Sequence, residues 1–334
     1  MPTVTTPPAR RLCRASRAAQ VALGLLWLID GALQCQPVMF GRLMVTDVLL
    51  PNAAGQPAVI GRPITWTAHL IGPHVALFNA FAAALQLLIG AGLLHRRTVR
   101  AALLASFAWA LGIWLFGEGL GGIFSGAADP LTGAPGAAVL YVVVGLMCWP
   151  RASGGRLGLL GERGARAVWA AIWLGSAALW LMPANAGAGA AHDAIAAAPA
   201  GAGWLSAALG WAARATAGGG TPIAGLMACL SAMIAVAAMW RRNDRVFLSL
   251  GIAVSVVFWI VGQGLGGVFT GEATDVGTAP LMILIAVLMW RRPLRGVQRS
   301  RPREMTSLWM SEVPSSISSN LASRIHFSTG YSRE

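Results

Sequence analysis

The chain has 334 residues, of which 56% are hydrophobic and only 11% are charged, whereas about 25% of the residues in ordinary soluble domains are charged. This composition excludes a soluble protein, because so few charged side chains cannot cover a solvent-exposed surface. The net charge of +13 comes from arginine alone, and the arginines lie in short clusters between apolar blocks. A nucleic-acid-binding domain would present them as a folded basic patch, so we expect the lipid bilayer as a partner and no nucleic acid.

Eight apolar blocks of nearly membrane-spanning length follow one another along the chain. A helix needs about 20 apolar residues to cross a hydrocarbon layer of about 30 Å. The blocks are Ala18–Gln36, His74–Leu94, Ala101–Phe124, Leu131–Trp149, Ala165–Met182, Thr221–Trp240, Val246–Val268 and Val276–Trp290. The sequence therefore predicts an all-α membrane protein with eight transmembrane helices.

The second four blocks repeat the first four. The stretch "LLWLIDGALQCQP" (Leu25–Pro37) aligns without a gap to "AIWLGSAALWLMP" (Ala171–Pro183), and "HRRTVR" after the second block corresponds to "WRRNDR" after the sixth. Further along, "FGEGLGGIFSG" (Phe116–Gly126) recurs as "VGQGLGGVFTG" (Val261–Gly271). Because each unit has an even number of helices, the two four-helix repeats are predicted to have parallel orientations, related by a pseudo-twofold axis along the membrane normal.

The arginine clusters predict the orientation of the chain. By this topology 22 arginines lie on one side of the membrane and 3 on the other, and the side with more basic residues is the cytoplasmic one. We therefore expect a multi-pass membrane protein with both termini in the cytoplasm. The predicted parts are a basic N-terminus (1–17), a first repeat (18–150), a cytoplasmic linker (151–164), a second repeat (165–292) and a disordered polar tail (293–334).

The paired stretches contain ten glycines that are candidate helix-packing residues: Gly117, Gly119, Gly121, Gly122, Gly126, Gly262, Gly264, Gly266, Gly267 and Gly271. Small residues spaced as G-x-x-x-G, such as Gly122 and Gly126, allow two helix backbones to approach closely. Alternatively, glycine-rich breaks at equivalent positions of two repeats indicate a transporter-type binding site. A plain outer loop is the third interpretation. The G-x-G-x-x-G pattern in both stretches carries no meaning, because a dinucleotide site needs a βαβ unit around it.

Polar side chains in the apolar blocks are the candidate functional residues. A carboxyl group near the outer end of a membrane helix is costly unless it is solvated, paired or protonated. Glu118 is such a group, and Gln263 keeps its size and hydrogen-bonding capacity, so we expect a shared polar contact near the pseudo-axis. The whole candidate site comprises Asp30, Asn79, Gln86, Glu118 and Gln263. The alternative is a set of separate hydrogen bonds between helices.

Motifs for catalysis and for metal binding are missing from the sequence. The chain has no G-x-S-x-G, H-E-x-x-H or P-loop motif, its four cysteines lack the spacing of metal ligands, and none of its five histidines lies in the middle of a block. We therefore assign no catalytic residue, no metal and no cofactor, and we expect no catalytic activity of the chain's own.

Several features resemble the DoxX-like membrane proteins: the four-helix unit, a first helix of the type "LGLLWLIDGALQ", an arginine-rich turn between the second and third helices, and glycines that end the third. The resemblance covers two units, Arg17–Pro150 and Arg163–Arg292. The chain is also similar to duplicated, functionally unassigned integral membrane proteins of actinobacteria. The DoxX-like family includes the membrane subunit of a thiosulfate:quinone oxidoreductase and small proteins of oxidative-stress complexes.

Three functions follow as expectations. The resemblance implies a redox-linked accessory membrane protein near quinone, working with a membrane or soluble redox partner, although no catalytic residue of that enzyme matches a residue of this chain. The pseudo-symmetric polar interior predicts instead a small-solute or proton-coupled transporter. The third alternative is a structural membrane scaffold.

Overall fold

The structure of the protein, a computed structural model, describes residues 8–151, 156–240 and 244–290. The predicted tail (293–334), the first seven residues of the basic N-terminus and residues 152–155 of the linker lie outside the described residues. Within the described ranges the chain is helical and contains no β-strand. The prediction of an all-α protein is therefore confirmed for this part of the chain.

Twelve α-helices occupy the described ranges. They are α1 (Pro8–Leu33), α2 (Ala58–Ile71), α3 (Val75–Leu94), α4 (Val99–Gly112), α5 (Ala137–Cys148), α6 (Gly161–Trp180), α7 (Pro183–Ala186), α8 (Ala190–Ala196), α9 (Gly203–Thr216), α10 (Gly220–Met239), α11 (Asp244–Val261) and α12 (Thr278–Met289).

Three helical stretches of the described chain are long and apolar enough to cross a membrane: Ala58–Leu94, Val99–Gly117 and Gly220–Met239. The shorter apolar helices are Ala137–Cys148, Arg245–Val261 and Thr278–Met289. This content of long and short apolar helices is compatible with a membrane protein.

Several helices are shorter than the apolar blocks that predicted them. The seventh block, Val246–Val268, corresponds to α11, which ends at Val261. The third block, Ala101–Phe124, corresponds to α4 and a π turn that ends at Gly117, because the following residues adopt left-handed backbone angles. The fourth block was predicted to start at Leu131, but α5 begins six residues later, after a loop. Apolar residues such as Ile123 and Phe124 belong to that loop, so apolar composition alone overestimated these helices.

The helices are arranged around a central pair. Helix α1 packs antiparallel along α3, and α6 packs along α10. Helices α5 and α12 contact each other at the centre, where α1 also touches α12 and α6 touches α5. One hydrophobic core includes buried residues from all of these helices. The ends of α4 and α11 and the starts of α5 and α12 thus lie next to the contact between the two parts of the chain.

Close contact between α1 and α3 depends on glycines outside the paired glycine-rich stretches. A Cβ atom added to Gly90 would lie 2.8 Å from the carbonyl oxygen of Gly24 and 2.7 Å from the Cγ of Leu28. At Gly31, an added Cβ would lie 2.8 Å from the Cγ of Leu87. Such distances leave no room for a side chain, so these glycines set the spacing between the two helices.

We expect Gly90→Ala to lower the free energy of unfolding by about 1–3 kcal/mol, since the added methyl group must push two packed helices apart. Gly225→Ala in α10 is the matched control, because nothing lies within 4 Å of a Cβ at that position. Thermal unfolding in detergent measures both variants. Equal melting temperatures for Gly90→Ala and Gly225→Ala would contradict the proposed close contact.

Candidate functional site

The two glycine-rich stretches form the same tight turn at the ends of α4 and α11. Leu120 and Leu265 have φ angles of 58° and 59°, in the left-handed region that costs a residue with a side chain about 1–2 kcal/mol. A Cβ atom on Gly121 would overlap the carbonyl of Pro135. A Cβ atom on Gly266 would overlap the carbonyl of Val276. The glycines therefore allow each turn to press against the loop that follows it.

This geometry corrects the expected helix-packing role of the glycines. Gly122 and Gly126 have φ angles of 69° and 79°, and Gly267 and Gly271 have φ angles of 66° and 82°, so neither G-x-x-x-G pair lies on a helix face. Left-handed angles also occur at the remaining glycines within the turns: Gly119, Gly121, Gly264 and Gly266. The other two predicted glycines lie at helix ends: Gly117 closes the π turn, and Gly262 abuts the carbonyl of Leu131.

Glu118 and Gln263 make equivalent contacts from these turns. The Oε1 atom of Glu118 accepts a hydrogen bond from the backbone N–H of Ala138 at 3.1 Å, in the first turn of α5. The Oε1 atom of Gln263 accepts from the N–H of Thr278 at 2.9 Å and from its hydroxyl at 3.2 Å, at the start of α12. Backbone N–H groups in the first turn of a helix have no partner inside the helix, so both side chains supply the missing acceptors.

Two tryptophans bind the loops that directly precede α5 and α12. The indole N–H of Trp114 donates to the carbonyl of Pro135 at 2.8 Å, and that of Trp259 donates to the carbonyl of Val276 at 2.7 Å. Each carbonyl lies two residues before its helix, α5 or α12. The loop, the turn and the helix start are therefore joined in the same way in both parts of the chain.

An open cleft of about 360 Å³ lies between the two turns. Most of its wall consists of glycine and alanine residues from both parts of the chain, including α8. Its polar wall residues are Glu118, Thr132, Gln263, Asp275 and Thr278. The loop before α5 also reaches across the cleft, because a Cβ on Gly133 would lie 3.7 Å from the Cδ of Gln263.

Asp30 is only 2% exposed and is not a wall residue of the cleft. The hydroxyl of Tyr141, which is one turn along α5 from the wall residue Ala137, donates to the Oδ2 atom of Asp30. The Oδ1 atom has no hydrogen-bond partner in the described part of the chain. The counterparts of Asp30 and Tyr141 are Ser176 in α6 and Met282 in α12, so this polar pair has no equivalent in the second part of the chain.

Asn79 and Gln86 do not reach the cleft. Both are buried, and they line the contact of α3 with α1, where the Nδ2 atom of Asn79 donates to the carbonyl of Gln34 at 2.8 Å. The side-chain oxygens of Asn79 and Gln86 have no partner among the described residues. Of the five predicted residues, the structure thus brings Glu118 and Gln263 together, keeps Asp30 nearby, and separates the other two.

Sequence reasoning missed Asp275, which immediately precedes the eighth apolar block. Its Oδ1 atom accepts from the N–H of Gly277 at 2.7 Å, and its Oδ2 atom accepts from the hydroxyl of Thr274 at 3.0 Å. Burial raises the pKa of the Asp275 carboxyl, and these two hydrogen bonds offset part of that effect. Asp275 and Glu118 line the same cleft. The sequence did offer one signal. An acidic residue directly precedes the eighth apolar block, soon after the glycine-rich stretch that matches the one with Glu118.

Among the described residues, no three His, Cys, Asp or Glu side chains are grouped closely enough to hold a metal.

No protein-family model, curated protein or solved structure matches the chain.

We expect Glu118→Ala to lower the free energy of unfolding by about 1 kcal/mol, because the start of α5 loses its side-chain acceptor. Glu118→Gln should unfold like the wild type, since an amide oxygen serves the same purpose at Gln263. The exposed Glu272→Ala is the control for loss of a carboxyl in a loop. If thermal unfolding in detergent gave Glu118→Ala the stability of Glu118→Gln, the capping role would be wrong.

Proposed function

We propose that the chain is a multi-pass protein of the bacterial plasma membrane, with eight spans and both termini in the cytoplasm. The pairing of arginines with helix C-termini supports this topology. Arg17 donates to the carbonyl of Leu93 at the end of α3 at 2.9 Å, and Arg166 donates to that of Ala238 at the end of α10 at 2.8 Å. Arg156 donates to carbonyls at the end of α12. Cations are favoured at helix C-termini, so these arginines also stabilise the helix ends assigned to the cytoplasmic side.

Reporter fusions test this topology. Fusions after Arg100 and after Arg245 should be cytoplasmic, because both positions follow arginine clusters, and a fusion within residues 41–73 should be external. An alkaline phosphatase that is active after Arg100 would contradict the orientation.

We further propose that the chain consists of two duplicated four-helix halves of parallel orientation. Helices α2 and α9 both have 14 residues and start 145 residues apart, as do α3 and α10, which both have 20 residues. The turns, the side-chain contacts to α5 and α12, and the tryptophan-to-carbonyl bonds recur at matching positions. This agreement in several independent contacts supports a common origin of the halves.

The function that the geometry favours is transport of a small solute coupled to protons, through a site in the cleft between the halves. One observation carries this proposal: Glu118 from one half and Asp275 from the other line the same cleft, and within the described ranges neither is paired with an arginine or a histidine. A carboxyl group removed from water is costly in its charged form unless a proton or a cation neutralises it. Such a group can therefore exchange a proton for a solute.

The redox-linked accessory role and the relation to the DoxX-like proteins stay predictions. A quinone ring packs against apolar and aromatic surfaces, whereas the wall of the cleft consists of glycine, alanine, one proline and polar side chains, without an aromatic residue. These residues do not fit a quinone, and no step of the proposed function involves one.

Proteoliposomes with a trapped pH indicator test the transport function. Pools of amines, amino acids, sugars and organic acids are added at matched osmolarity, and at least one pool should move protons faster than in protein-free liposomes. Glu118→Gln and Asp275→Asn should reduce this rate at least tenfold, because an amide cannot titrate, while Glu272→Gln should preserve it. Proton movement that is equal in the wild type and in Glu118→Gln would contradict the proposal, as would the absence of any solute-dependent movement.

A further inference from the structure

The two oxygens of the Glu118 carboxyl have different surroundings. The Oε1 atom is occupied by the N–H of Ala138, whereas the Oε2 atom is buried and has no hydrogen-bond partner among the described residues. This second oxygen lies directly over Gly136, a wall residue of the cleft, where an added Cβ would overlap it. A buried acceptor without a donor is unfavourable, so a ligand or a proton that supplies the donor is favoured.

A second carboxyl lines the same cleft. Asp275, from the loop before α12, is a wall residue together with Glu118. No arginine or histidine lines the cleft. The cleft thus combines two acidic groups and an unpartnered acceptor, without a side chain of opposite charge.

We propose that this cleft binds a small organic cation through a primary ammonium group, which takes the place of the proton on Glu118. The inference rests on the transport function proposed above and names its substrate class. The N–H groups of the ammonium donate to the Oε2 atom of Glu118 and to the hydroxyl of Thr132 or Thr278, and Asp275 supplies a second negative charge. The cleft, at about 360 Å³, is at the small end of ligand pockets, which measure roughly 300–1,000 Å³.

The residues that line the cleft favour one class of cation over the others. Calcium takes six to eight oxygen ligands, but the described residues offer no group of three metal-ligating side chains. Quaternary ammonium ligands are held by aromatic faces, and no aromatic residue lines the cleft. A primary ammonium instead needs hydrogen-bond acceptors and a negative charge, which Glu118, Asp275 and the two threonines provide.

The exchange conserves atoms and charge. The protonated carboxyl of Glu118 and a free ammonium ion give a carboxylate that is hydrogen-bonded to the ammonium, and one proton leaves to the solvent. The Oε1 atom keeps its contact with α5 in both states, so the helix start is preserved. Because proton and ammonium compete for one carboxyl, release of one accompanies binding of the other, which couples the two in opposite directions.

The test measures proton release by the purified full-length protein in weakly buffered detergent solution. Propylamine should release close to one proton per molecule bound, in a saturable way, and its apparent affinity should fall about tenfold per unit of decreasing pH once the carboxyl is mostly protonated. Tetramethylammonium, which has no N–H, and propanol, which has no charge, should release none. Glu118→Gln should abolish the release, Asp275→Asn should weaken binding at least tenfold, and Glu272→Gln should behave like the wild type.

Three results would overturn the ammonium site: tetramethylammonium acting as well as propylamine, unchanged release in Glu118→Gln, or unchanged affinity in Asp275→Asn. Asp275→Asn tests the site even if Glu118→Gln fails to fold. Transport of sugars or organic acids in the proteoliposomes, without any response to amines, would overturn the substrate class and leave the transport function standing. Absence of both signals would remove the transport function itself.

Discussion

The arrangement at the centre of the molecule depends on the hydrogen bonds made by the first turns of α5 and α12. Each of these helices starts with backbone N–H groups that need acceptors from outside the helix, and Glu118 or Gln263 provides one from the end of the preceding long helix. The left-handed turn that follows each of these side chains leads the chain into the loop before the next helix. The strain at Leu120 and Leu265 is therefore tied to the position of the central helix pair, and hence to the shape of the cleft.

Around these matching contacts the interiors of the two parts of the chain differ. The first part buries the polar Asp30–Tyr141 pair. In the second part Gly251 stands at the position that matches Ser106, and an added Cβ there would lie 2.6 Å from the ring of Trp169. The missing side chain at position 251 leaves room for the large indole ring, which conserves volume. The buried Asp30 carboxyl thus belongs to the first part of the chain, whereas polar residues from both parts line the cleft.

Apolar composition predicted the helical class correctly, but it could not predict where helices end. Ile123 is as apolar as the residues of a membrane-spanning helix. It nevertheless lies in a loop, because the left-handed backbone angles of the preceding residues end the helix. Repetition identified Glu118 and Gln263 as a pair, and the structure joins them in one cleft. Asp275 escaped notice because its one local signal, an acidic residue beside an apolar block, does not show that the two parts of the chain meet at this cleft. Asn79 was grouped with the others on polarity alone, which carries no information about the side of a helix that a residue faces.

The distribution of charge around the cleft follows from the cost of placing like charges together. A carboxyl at both 118 and 263, with Asp275 already present, would bring three acidic groups to one small space, and each would disfavour ionisation of the others. Gln263 removes one charge and keeps its bond to Thr278. Asp275 has no acidic counterpart in the first half, where the matching position, two residues before the glycine that precedes the helix, is Ala134. Each part of the chain therefore contributes one carboxyl to the wall of the cleft, but from different places. The proposed cation site is for this reason asymmetric, although the contacts around it match.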